Sequence, residues 1–189
     1  MKLLLYCTKS KPYLIGGYPD VYLNGKIVAE CDFEVEEIKN KITQNGSHLE
    51  LFTDKLSEDE LFDKSCLSRY EMFYYLKNGF TKKGMPEGYA IHIKNLHIFD
   101  EPKKLNEYYT LNGRLDIENV TVISKAPQNM MYAFELTQDA GLGYCKTYLN
   151  KNILISIQSK WIGKILNGEK TIEIRKKVLK EMKWNLKIT

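Results

Sequence analysis

Lysine, glutamate and arginine stand at fixed intervals in Asn167-Gly168-Glu169-Lys170-Thr171-Ile172-Glu173-Ile174-Arg175-Lys176, the stretch best supplied with groups that could do chemistry. Cationic side chains neutralise phosphate, and a carboxylate can accept from an exocyclic amine. A lysine taken out of water can also act as a nucleophile or base. Gly168 is the natural helix stop, because glycine adopts positive φ without a Cβ penalty. From Thr171 to Arg175 the residues alternate. Ile172 and Ile174 are expected on one face, with Thr171, Glu173 and Arg175 on an open one and Lys170 swinging to that side. The plain alternative is a solvated Glu173–Arg175 pair, and exposed pairs contribute little.

Ahead of this stretch lie Ile153-Leu154-Ile155-Ser156-Ile157, a strand pattern, and Trp161-Ile162-Gly163-Lys164-Ile165-Leu166, a short amphipathic helix. With these flanks, Gly168, Lys170, Glu173 and Arg175 spell Gly-x-Lys-x-x-Glu-x-Arg, which resembles the signature of the ASCH family, a branch of the PUA-like barrels. Tyr6-Cys7-Thr8-Lys9, the Tyr89-Ala90-Ile91-His92-Ile93 run and the turn around Lys125-Ala126-Pro127-Gln128 are similar to further elements of that family. The resemblance implies an α+β fold, a PUA-like β-barrel with helical insertions.

The order of elements departs from the family's. The strand, helix and signature that open an ASCH barrel come last here, after residue 150. Three arrangements are open: a circularly permuted barrel completed within one chain, a body followed by part of a second barrel, or a tail exchanged between two molecules. Open sheet edges and an unburied Ile153, Ile155, Trp161 and Ile165 favour completion in some form. The expected divisions are a body at 1–135 with a helical insertion near 57–79, a linker at 136–150, and the signature segment at 151–189. A monomer or a tail-exchanged homodimer follows.

The elements that must position the signature are legible as patterns. Leu3 to Cys7 is a continuous apolar run and reads as a strand buried on both faces. After the Asn24-Gly25 turn, Lys26 to Val35 alternates, with Ile27, Ala29, Cys31, Phe33 and Val35 inward and the charges outward. Residues 39–56 read as loop. Ser57-Glu58-Asp59-Glu60 and Ser68-Arg69-Tyr70-Glu71 are capping boxes, each starting a short helix, the second ended by Asn78-Gly79. Strands are expected over Gly88–Phe99, closed by Pro102, and at Val120–Ile123 and Met130–Phe134.

Composition sets the outer limits. At 189 residues, 43% apolar and 12% aromatic, the chain has material for a sizeable core. Residues 151–189 carry ten Lys/Arg against three Asp/Glu, so the net +4 is concentrated there. Such a segment suits a polyanionic partner or an ordinary Lys-rich surface. Cys7, Cys31, Cys66 and Cys145 form no close ligand pairs, and they read as reduced thiols with no metal site. No signal-peptide pattern or run of about 18 apolar residues is seen, which predicts a cytoplasmic protein without a membrane span.

Function is read in three ways. The first is an RNA- or modified-nucleotide-binding module, with Lys170, Glu173 and Arg175 in a cleft, Lys9 and Lys11 near its rim, and His92 as a further contact. The second, implied by resemblance, is an amidohydrolase of acetylated nucleosides or a ribonuclease, with Lys170 and Glu173 catalytic and no cofactor. In that amidohydrolase type Glu173's position is a threonine, which counts against it. The third is a non-catalytic remnant or interaction protein. His92 lies on a strand and is more readily a structurally satisfied histidine than a proton shuttle.

Overall fold

A continuous apolar run cannot face water on either side, and Leu3–Thr8 (β1) is accordingly a strand whose first five residues are buried. The computed structural model describes residues 1–9, 23–42, 49–76, 88–114, 117–139 and 146–182. The fold is mixed α+β. Two compact units make it up: Met1–Asp32 with Asn95–Leu166, and Phe33–Lys94 with Asn167–Thr189. Two of the three boundaries fall inside 16-residue strands, Ile27–Ile42 (β2) and Gly88–Lys103 (β4), and the third lies between Leu166 and Asn167. This division cuts the chain elsewhere than the expected 1–135, 136–150 and 151–189.

In the first unit the strand order is β6-β5-β7-β8-β1-β2-β4, where β5 is Tyr109–Leu111, β6 Val120–Val122, β7 Met130–Asp139 and β8 Lys146–Gln158. β1 runs antiparallel to β2 and parallel to β8, with Leu3 opposite Ile153 and Cys7 opposite Ile157. β7 and β8 form a long antiparallel pair from Met130↔Ile155 to Asp139↔Lys146. The supposed linker at 136–150 is therefore largely ladder, because Leu136, Thr137 and Gln138 find strand partners in Leu149, Tyr148 and Thr147. The strand run after residue 150 lies between β7 and β1 of its own chain. Ser159–Leu166 (α3) follows it, burying Ile162 and Ile165. Leu4, Tyr6, Ile27, Tyr108, Ala133 and Leu154 share one core cluster.

In the second unit the order is β3-β2-β4-β9, with β3 at Leu49–Phe52 and β9 at Ile172–Arg175. Residues 39–56 are not all loop. β2 runs on to Ile42 and pairs with β3 from Lys39↔Phe52 to Ile42↔Leu49, a ladder that polar residues support as readily as apolar ones. Glu58–Ser65 (α1) and Arg69–Leu76 (α2) form the helical insertion. Both capping boxes are present: Ser57 Oγ accepts from Glu60 N while Ser57 N donates to Glu60, and Ser68 and Glu71 repeat the exchange. The expected stop at Asn78-Gly79 lies outside the described residues. β4 continues past Pro102, and inside it Asn95 takes a left-handed φ of 48°, which asparagine tolerates better than most residues. Ile38, Leu51, Leu61, Met72, Leu76, Ala90, Ile172 and Ile174 close the core.

Candidate functional site

Gly168 has φ +82°, so the chain turns where a side chain would be strained, and the residues after it close onto the end of α1. A helix leaves its last carbonyls without partners, and cations are favoured there. Lys170 Nζ donates to the Ser65 carbonyl at 2.6 Å, Thr171 N to the Lys64 carbonyl at 3.0 Å, and Cys66 Sγ to the Glu169 carbonyl at 3.4 Å. β9 then pairs antiparallel with β4, setting Glu173 opposite Ile91 and Arg175 opposite Tyr89.

Lys170, Glu173 and Arg175 are brought together as the spacing predicts. Lys170 Nζ lies 3.3 Å from Glu173 Oε2, and Arg175 Nε lies 3.0 Å from Glu173 Oε1 as an ion pair short of an aligned hydrogen bond. Their burial departs from the expectation. Lys170 is 2% exposed, Glu173 7% and Arg175 8%, and β9 is buried along its whole length. The alternation does place the isoleucines in the core, but the other face is covered as well. Neither an open face nor a solvated pair describes this strand. Burial draws Lys170 below the usual lysine value, against the opposing pull of Glu173. Tyr75 of α2 feels the same cluster: burial raises its hydroxyl pKa while the Arg175 charge opposes the rise. Lys176 Nζ lies 4.9 Å from the Tyr75 ring centre.

His92 is not part of this trio. Its Nε2 sits 2.9 Å from Glu36 Oε2, which also accepts from Thr53 Oγ1 at 2.7 Å. Thr53 Oγ1 in turn accepts from the backbone of Lys55 and Leu56. The histidine is structurally satisfied. Glu36 of β2, one residue beyond the Lys26–Val35 run, is buried because His92 and Thr53 give its carboxylate partners. Lys9 is exposed beyond β1 in the first unit, and Lys11 lies outside the described residues.

Several participants had no distinct signal. Glu36 continues the alternate series Asp32, Glu34, Glu36, and nothing in its spelling separates it from the half-buried members. Ser65 contributes its main-chain carbonyl, so its identity is silent. The first unit has a separate concavity of about 350 Å³ lined by Lys103, Tyr108, Glu135 and Thr137, among others. There burial raises the Tyr108 hydroxyl far above its usual value, with Glu135 adding to the effect.

Among the described residues no three or more His, Cys, Asp or Glu side chains gather as a metal site. No helix of those residues is long and apolar enough to cross a membrane. No disulfide involves Cys7, Cys31 or Cys66 among the described residues, and burial pushes Cys31 up to about 12. Cys145 lies outside the described residues. No family model, curated protein or solved structure matches this chain.

Proposed function

We propose that this chain is an RNA- or nucleotide-binding module of the ASCH type, a permuted PUA-like barrel completed within one chain. The observation that carries this reading is the buried Lys170–Glu173–Arg175 cluster, one carboxylate between two cations within 3.3 and 3.0 Å. Hiding three charges is a poor way to gain stability, because their desolvation offsets most of their attraction. It is a good way to hold donors and acceptors in fixed positions for a polar ligand. Lys170 already donates a hydrogen bond to the Ser65 carbonyl, so its part is to fix Glu173 and the turn. Arg175 is the group for phosphate or a base carbonyl, Glu173 for an exocyclic amine, and Tyr75 for stacking. The pairing of β8 with β1 and of β9 with β4 supports completion in one chain.

The test is binding of a labelled single-stranded RNA at about 50 and 200 mM salt, where phosphate contacts show clearly. Parent binding should fall steeply with salt, and Arg175→Ala should weaken it at least about tenfold. Absent or salt-insensitive binding overturns the reading.

One observation favours the hydrolase alternative. A lysine drawn down by burial holds more of the neutral amine that a nucleophile or base requires. Hydrolysis of an acetylated nucleoside, lost in Lys170→Met, is the result that reading needs.

A further inference from the structure

α2 reads Arg69-Tyr70-Glu71-Met72-Phe73-Tyr74-Tyr75-Leu76, apolar or aromatic at six of eight positions. A helix that is apolar all round is normally buried all round. Here Met72 and Leu76 are fully buried, whereas Tyr70 is 77% exposed and Tyr74 68%. These two tyrosines are one turn apart, so their side chains share a face. Their rings are stacked, with centroids 6.1 Å apart and planes within 19°.

What would cover such a face is indicated by its chemistry. An apolar protein groove calls for aliphatic anchors, and those of α2 point into the core. The outer face instead presents flat π surfaces with polar tips. Lys176 lies against the ring of Tyr75, the residue after Tyr74, and Lys177 follows it, exposed. Aromatic faces next to a cationic track are the composition of a single-stranded nucleic-acid platform, since every base offers a π face and every linkage a charge.

We propose that Tyr70 and Tyr74 are the stacking platform for an unpaired base of single-stranded RNA, with Lys176 neutralising the adjoining phosphate. This rests on the RNA-binding reading and extends its site from the buried cluster to the exposed side of α2.

The test uses the full chain and a single-stranded RNA containing 2-aminopurine, whose fluorescence reports stacking. Tyr70→Ala/Tyr74→Ala should weaken binding at least about tenfold and abolish the change in fluorescence, while Tyr70→Phe/Tyr74→Phe stays within about twofold of the parent. The alanine pair should keep the parent's salt slope, because phosphate contacts remain. Lys176→Gln should lower that slope by about 0.7, one phosphate contact on a single strand. Both tyrosines are exposed, and circular dichroism should show each variant folded as the parent is. Three results separate the possibilities. A parent that fails to bind overturns the RNA reading and the platform with it. A parent that binds while the alanine pair binds equally overturns the platform alone. An alanine pair that changes only the oligomeric state assigns the face to a protein contact and also overturns the platform.

Discussion

In the first unit β1 sets Leu3, Leu4 and Leu5 between β2 and β8, and the unit's buried polar side chains among the described residues are neutral. Asn152 accepts from Lys2 N at 3.0 Å, and Ser156 donates to the Pro127 carbonyl at 2.7 Å. The second unit is built of comparable strands, yet the charged side chains buried among the described residues, Glu36, Lys170, Glu173 and Arg175, all belong to it. Aliphatic packing alone can complete a unit of this kind. The second unit's charges therefore call for a reason other than cohesion, and ligand recognition is the reason proposed above.

The largest effects come from breaking that contrast directly. Glu173→Ala removes the one anion between Lys170 and Arg175 and leaves two buried cations facing each other. A loss of about 3–5 kcal/mol is expected by urea denaturation. Replacing the trio together, Lys170→Met, Glu173→Leu and Arg175→Met, should be neutral or stabilise by about 1–4 kcal/mol while abolishing RNA binding. A triple variant that still binds would assign the cluster to packing alone, as the remnant reading requires. Leu4→Ala in the first unit creates an ordinary cavity and should cost about 2–5 kcal/mol without altering the salt slope of binding.

A smaller effect concerns the helices that carry the site. Ser57→Ala deletes one half of a reciprocal cap and should cost about 1 kcal/mol, read from thermal melts. Its value is diagnostic. If the end of α1 loosens, the Lys170 contact at Ser65 loosens with it, so binding should weaken alongside stability.

Much of this could be read from spelling because the relevant physics is local. The capping boxes at Ser57 and Ser68, the positive φ of Gly168, and the nearness of Lys170, Glu173 and Arg175 each depend on a few consecutive residues. What was not legible depends on distant ones. Alternation says which side chains share a face, but not whether that face is covered, so Glu173 and Arg175 were expected in water. The pairing of β2 with β3 needs a partner that the polar Lys39, Asn40 and Lys41 do not announce. Glu36 is buried because His92, 56 positions away, and Thr53, 17 away, meet it. The exposure of Tyr70 and Tyr74 is hidden for the opposite reason, since aromatic residues in a short helix read as core.

The smallest effect compares two acids on one strand, two residues apart, one in each unit. Asp32 receives Lys2 and Asn95, whereas Glu34 receives Lys55 and Lys94. Both carboxyls are held below their ordinary values by those hydrogen bonds, Glu34 down to about 2. A depressed carboxyl contributes stability that is complete above its unfolded value, about 4.5 for a glutamate. That contribution disappears as pH falls through the folded value, so the Glu34 share should be lost between about pH 4.5 and about pH 2. The lysines that hold it are about half exposed, so solvent screening keeps the amount small. Glu34→Gln should flatten the acid limb of the stability curve over that interval and leave the neutral limb nearly unchanged. Asp32→Asn should act in the same direction, and salt should diminish both effects because both acids are partnered at the surface. A Glu34→Gln curve that still fell as steeply over that interval would place the acid sensitivity on other carboxyls.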